Sequence, residues 1–146
     1  PDQLIDYPYG RENTFFDGIK KPVKHIDFAE PFNSVVRNAL LDAASGLELT
    51  VSTQAVYGCT QGPRLETRAE IDRLARDGCD VVGMTVMPEA ALAMEIGLDY
   101  ASVCLVVNRA AGRSEKPLSL GQVHLQVTER MPMVEKILNR AVSILS

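Results

Sequence analysis

Ala55-Val56-Tyr57-Gly58-Cys59-Thr60-Gln61-Gly62-Pro63-Arg64-Leu65-Glu66-Thr67-Arg68-Ala69-Glu70 passes from β-type residues, through two glycines, into a helical pattern. Its upstream half belongs to a strand-like run over Leu47 to Tyr57, rich in β-branched Thr50, Val51, Thr53 and Val56. Gly62-Pro63 punctuates a turn, and proline holds φ near the value that a first helical turn requires. The spacing predicts a helix beyond it, with Thr67, Ile71, Leu74 and Ala75 on one face and Gly78 as its stop. Glu66 then lies where a turn meets a helix N-terminus. The helix dipole favours a carboxylate there, and such a group can point toward a ligand or simply support the helix.

Upstream, Asp2 to Asp6 reads as the end of a strand already under way, so the chain is expected to open mid-domain. Prolines and glycines break up the residues that follow, and Val23 to Phe28 places His25 in a short strand or extended loop. Pro31 to Ser45 is expected to be a helix, with Phe32, Val35, Val36, Ala39, Leu40 and Ala43 on one face and Gly46 as its stop. Downstream, Asp80 to Met84 is a short apolar run suited to a buried parallel strand, and Pro88-Glu89 opens a helix through Ile96. Tyr100 to Val107 reads as a second buried strand and Asn108 to Pro117 as a polar loop. Leu118 to the C-terminus is helical by pattern, with Pro132 expected to kink or divide it. Strands alternating with helices define an α/β domain with a largely parallel sheet, whose ligands bind beyond the carboxyl ends of the strands. Met84-Thr85 and Asn108 are two such ends, and the Glu66 turn is placed to join them.

Composition narrows the function. A net charge of −4, with no Lys/Arg run, gives no basic footprint for nucleic acid. No apolar stretch is long enough for a membrane span, and no signal-peptide pattern is visible. Cys59, Cys79 and Cys104 are odd in number and widely spaced, which suits a reducing cytoplasm and thiols that serve as small apolar residues. No G-x-G-x-x-G, Walker, H-E-x-x-H, C-x-x-C or G-x-S-x-G motif occurs, so fingerprinted nucleotide binding, zinc hydrolysis and serine-esterase chemistry lose their usual warrants.

Three linked stretches, Gly62 to Glu70, Val82 to Glu89, and Tyr100-Ala101-Ser102 ending at Asn108, resemble the trimeric purine nucleoside phosphorylase and methylthioadenosine phosphorylase family. The resemblance runs through the whole chain in order and is closest to the branch that cleaves methylthioinosine. It implies a three-layer α/β/α fold with a mixed, largely parallel sheet. Residues 1–146 are then a single domain, the C-terminal two-thirds of the family domain. The family's N-terminal segment, with its first phosphate loop and an Arg-His pair, has no counterpart in this sequence.

By the same resemblance, Met84 contributes to the ribose site and Thr85 to phosphate binding. Glu66 and Asn108 face the purine as the catalytic pair, Leu65 packs against the base, and Arg109 and Ala110 continue the base-binding loop. Leu120 and Val123 line the pocket for the 5′ substituent, and His25 reaches a neighbouring subunit's site. The implied reaction is phosphorolysis of 5′-methylthioinosine to hypoxanthine and 5-methylthioribose 1-phosphate. Phosphate is the co-substrate, no cofactor or metal is needed, and the expected assembly is a cytoplasmic homotrimer with sites near subunit interfaces. A 6-oxopurine presents N1–H and O6. A carboxylate at Glu66 accepts from the first, and the Asn108 amide donates to O6 or N7. Methylthioadenosine enzymes of the family carry a Ser-like residue in place of Glu66 and an Asp-x-Asp pair at Asn108 and Ala110, which this sequence lacks. A carboxylate facing the bare N1 of adenine costs roughly 1–3 kcal/mol. Methylthioadenosine cleavage, general 6-oxopurine nucleoside phosphorolysis, hydrolysis by water and a non-catalytic nucleoside-binding or oligomerising role remain the alternatives.

Overall fold

The structure is a computed structural model and describes residues 1–115 and 119–146. Its centre is a three-stranded, wholly parallel sheet in the order β1 (Gln3–Asp6), β2 (Val56–Cys59), β3 (Val81–Gly83). Tyr57 and Cys59 point to one face of β2 and enter an apolar cluster with Phe32, Val86, Met87 and Ala90. Gly58 points to the other face, where its bare Cα lies against Leu74 and Cys79. Leu74 belongs to α2 (Arg68–Arg76), whereas Val86 and Ala90 belong to α3 (Val86–Glu95). The two-residue period of the strand therefore puts one helix on each face and generates the α/β/α layering. A second cluster joins Ala39, Ala43 and Ala44 of α1 (Ser34–Ser45) to Ile137 and Ala141 of α4 (Leu120–Leu145). Alanines on α1 let the two helices approach closely.

Several boundaries differ from the sequence reading, for identifiable reasons. The strand expected over Leu47 to Tyr57 is confined to Val56–Cys59. Leu47 and Leu49 pack instead on the α1–α4 cluster, and Glu48 takes a positive φ of 56° that turns the chain out of α1. The helix assigned to start at Pro31 begins at Ser34, because Asn33 caps it by accepting from the amides of Val35 and Val36. Likewise α2 starts after Thr67 rather than at Pro63. Thr67 and Glu70 form a reciprocal capping box, and the Gly62-Pro63 peptide is cis. Tyr100 to Val107 is not a strand; it pairs with none of the three strands, and Val103 and Val106 are exposed. Of the two forms expected for Val23 to Phe28, a short strand or an extended loop, the structure has the loop. Pro132 does not divide α4, which runs unbroken through it. Leu118 and Pro117, expected at a helix start and a loop end, lie outside the described residues.

Candidate functional site

The carboxyl ends of β2 and β3 feed two loops that determine the site. After β2, the chain passes through Thr60, Gln61 and the cis Gly62-Pro63 bond to Glu66, which directly precedes the α2 cap. After β3 come Met84 and Thr85, the residue that caps α3 without using its side chain. Gly62 adopts a φ of 60°, and its missing side chain leaves room for the Met84 thioether; a Cβ there would meet Sδ at 2.6 Å. The two strand-end loops are thereby in contact.

The third component is the segment from Asn108 to Glu115. It docks on α2 through Arg113, which pairs with Asp72 at 2.9 Å, and through Gly112, which lies against the Arg68 stem. That docking places Asn108, Arg109 and Ala110 across from Glu66. Leu65, Glu66, Met84, Asn108, Arg109 and Ala110 line a single cavity of about 640 Å³. An adjoining cavity of about 630 Å³ separates β3 from residues 102–110 and adds Thr85 and Tyr57 to the lining. Asn108 borders both.

Two carboxylates flank the α2 cap and have different surroundings. Glu70 receives both arms of the Arg64 guanidinium, at 2.9 and 2.7 Å, and the Thr67 amide at 2.7 Å. The Arg64 bonds are the main cause of its lowered pKa, about 2. Glu66 is half-buried, lines the cavity, and accepts one hydrogen bond, from the Thr60 hydroxyl at 2.6 Å. Asn108 is exposed, and its amide donates to the Arg109 carbonyl at 2.8 Å, which leaves a second N–H on the same nitrogen.

Three other residues singled out in the sequence lie elsewhere. His25 is exposed and lines neither cavity, and the same holds for Leu120 on the first turn of α4. Val123 is half-buried but also lines neither. Two residues that the sequence reading missed are central to the geometry. Arg11 extends its guanidinium beneath the site and donates to the carbonyls of Met84 (2.9 Å), Met87 (2.6 Å), Thr60 (3.2 Å) and Gln61 (2.5 Å). Thr60 links the β2 end to Glu66. Arg11 carried no signal, because its partners are backbone atoms. Thr60 stood in the deciding stretch itself, and a hydroxyl at a strand end shortly before a candidate carboxylate was the available clue. Among the described residues, no group of three or more His, Cys, Asp or Glu side chains could hold a metal.

A three-layer α/β domain with a cavity at the strand ends, lined by a carboxylate and an amide from distant segments, is a small-molecule-binding architecture. The sequence profile of the Phosphorylase superfamily matches residues 1–143, and the chain belongs to that family. It is similar to the probable S-methyl-5′-thioinosine phosphorylase of Pseudomonas syringae pv. tomato, with 48% identity over 98% of this chain and 58% of the relative. It is also similar to the 6-oxopurine nucleoside phosphorylase of Pyrococcus furiosus, with 41% identity over 99% of this chain and 56% of the relative. Among solved structures, the methylthioadenosine phosphorylase of Schistosoma mansoni in complex with adenine superimposes with a TM-score of 0.92. That match has 31% identity and covers 99% of this chain and 57% of the other. The chain therefore spans somewhat over half the length of the relatives it matches. The fold is that of the nucleoside phosphorylases, as the sequence resemblance implied.

Proposed function

We propose that the protein cleaves 5′-methylthioinosine with phosphate, giving hypoxanthine and 5-methylthioribose 1-phosphate for purine salvage. The observation that carries this reading is the convergence of Glu66 and Asn108 on one cavity that Met84 also lines. In the reaction, a phosphate oxygen bonds to C1′ as the C1′–N9 bond breaks, and the bonding electrons pass to the purine. Positive charge develops on the sugar and negative charge on the base. Asn108 stabilises the second through its remaining amide N–H at N7 or O6, an electrostatic contribution made where charge appears. Glu66 accepts from N1–H of the oxidised ring. Thr85 follows the β3 end, ahead of a break at non-helical Met87 in α3, and its hydroxyl is uncommitted to capping, which leaves it to donate to a phosphate oxygen. Leu65 and Ala110 pack on the base, Arg109 borders it, and Met84 underlies the sugar.

The remaining features are part of the same proposal. The active assembly is a homotrimer in which His25, exposed here, reaches a neighbouring subunit's site. The three free cysteines are suited to a reducing cytoplasm. No helix among the described residues is long and apolar enough to cross a membrane. The 5′-methylthio preference rests on Leu120, Val123 and the similarity to the probable S-methyl-5′-thioinosine phosphorylase of Pseudomonas syringae. Because Leu120 and Val123 border neither cavity, a general 6-oxopurine nucleoside phosphorylase is the second reading, favoured also by the Pyrococcus relative.

Purine release with phosphate from methylthioinosine, inosine and methylthioadenosine separates the readings, with pentose 1-phosphate identified as the second product. Methylthioinosine is expected to be the best substrate; equal use of inosine supports the general reading, and a preference for methylthioadenosine overturns both. Asn108→Asp is expected to move preference toward 6-aminopurines by roughly tenfold or more, since a carboxylate accepts from N6–H but repels O6. An unchanged substrate order would remove Asn108 from base recognition.

A further inference from the structure

We infer that Thr60 is a positioning residue that aims Glu66 at the base and thereby sets the margin between 6-oxo and 6-amino purines. This inference rests on the proposed placement of Glu66 at the purine edge. Thr60 is the first residue beyond β2, and its backbone is held on both sides. Its amide donates to the Gly83 carbonyl at 2.8 Å, which extends the β2–β3 pairing by one step. Its own carbonyl accepts from Arg11 at 3.2 Å. The hydroxyl thus projects from a fixed point.

A hydroxyl has one hydrogen to donate. Two acceptors are in reach, Glu66 Oε1 at 2.6 Å and the Gly83 carbonyl at 3.3 Å. The second contact is longer, and that carbonyl already receives the Thr60 amide. The hydrogen therefore goes to Glu66, as a short charge-assisted bond. The backbone on the far side of Glu66 is fixed as well, since the next residue is the α2 N-cap, with its amide bound to Glu70 at 2.7 Å. Arg64, one of the two cations two residues away, is committed to Glu70 and does not draw Glu66 away.

Glu66 would otherwise be a flexible side chain at the rim of an open cavity. Holding Oε1 against Thr60 defines where Oε2 lies, because the two oxygens move as a rigid plane. The ordering of the carboxylate is then complete before the ligand arrives, and N1–H meets an acceptor already in place. A 6-aminopurine gains nothing from the same arrangement, because its N1 has no hydrogen to give. Thr60 therefore acts on the ratio between the two base classes rather than on purine binding in general.

The test uses calorimetric titration of the protein with hypoxanthine and with adenine. The variants are Thr60→Val, Thr60→Ala, Thr60→Ser, Glu66→Gln and the Thr60→Val/Glu66→Gln double. Thr60→Val keeps the branched shape and deletes only the hydroxyl. It should weaken hypoxanthine roughly tenfold and leave adenine within about twofold. Thr60→Ala should do the same, which protects the result if the valine variant folds poorly. Thr60→Ser should retain most of the wild-type ratio, and Thr60→Val should add no further loss to Glu66→Gln. Equal weakening of both bases by the two hydroxyl deletions, or additive losses in the double variant, would overturn the inference. If Glu66→Gln alone leaves the hypoxanthine-to-adenine ratio unchanged, the base assignment of Glu66 fails, and the proposed function fails with it. If Glu66→Gln collapses the ratio while Thr60→Val does not, only the role of Thr60 fails.

Discussion

Arg11→Ala should destabilise the protein by about 3 kcal/mol, an unusually large loss for a half-buried charged residue that forms no salt bridge among the described residues. The guanidinium donates to four main-chain carbonyls, those of Thr60, Gln61, Met84 and Met87, at 2.5–3.2 Å. A protein hydrogen bond contributes about 0.5–1.5 kcal/mol net, and more when one partner is charged. Arg11 is partly exposed, so water replaces some of what is removed, and the lower half of that range is appropriate for each bond. Arg11→Lys should lose about 2 kcal/mol, because one ammonium cannot span carbonyls on two loops as a planar fork does. Urea unfolding is the assay. With a slope of about 2 kcal/mol per molar, the Arg11→Ala midpoint should fall by roughly 1.5 M while the slope stays constant. Arg64→Ala is the control: its exposed pair with Glu70 should contribute less than about 1 kcal/mol. An Arg11→Ala midpoint within about 0.3 M of wild type would refute the idea that this side chain clasps the strand ends.

Glu95, buried at the end of α3, accepts from the Thr14 hydroxyl at 2.5 Å and the Phe15 amide at 2.8 Å, so it fastens the segment that carries Arg11. These two bonds, the hydroxyl first, hold its carboxyl below the ordinary value of 4.5. A depressed folded-state value contributes stability that is present above the unfolded value and lost as pH falls through the folded one. Wild type should therefore melt above Glu95→Gln at pH 6, and the gap should close as pH drops below about 4.5; a gap constant from pH 6 to 3 would contradict this. Glycine-to-alanine changes should have opposite signs at two positions. Gly83→Ala places a methyl group against the buried Tyr57 ring and should cost about 1–3 kcal/mol, whereas Gly121→Ala on α4 meets only Ser119 at 3.7 Å and should be neutral to stabilising by up to about 1 kcal/mol. Thermal melts of the two variants give both signs, and a neutral Gly83→Ala would show that the sheet has more room beneath Tyr57 than the packing implies.

What the sequence disclosed follows from which atoms carry the information. Side-chain periodicity marked α1 and α2, since Ala39, Ile71 and Leu74 are buried by virtue of their spacing, while a short apolar run marked β3 and Pro88-Glu89 marked α3. It misplaced the starts, because Asn33 and Thr67 begin α1 and α2 through side-chain cap hydrogen bonds that periodicity does not register, although Thr67-x-x-Glu70 was a legible capping signal. It made a strand of Tyr100 to Val107, because an apolar run declares burial in a sheet without declaring a hydrogen-bonding neighbour. At the site, the side chains were legible and their support was not. Glu66, Met84 and Asn108, which line one cavity, could be named from the chain, whereas Arg11 donates four hydrogen bonds to main-chain carbonyls and leaves no pattern. That division bears on function. Arg11 occupies the carbonyls of Thr60, Gln61 and Met84, which would otherwise present acceptors at the strand ends. In the proposed function, selection among ligands then falls to side chains of the cavity lining, Glu66 and Asn108 among them. Under the proposed function, substitutions at Glu66 and Asn108 should change base preference while leaving the fold standing, whereas substitution of Arg11 should lower stability first and reach base preference only through Thr60.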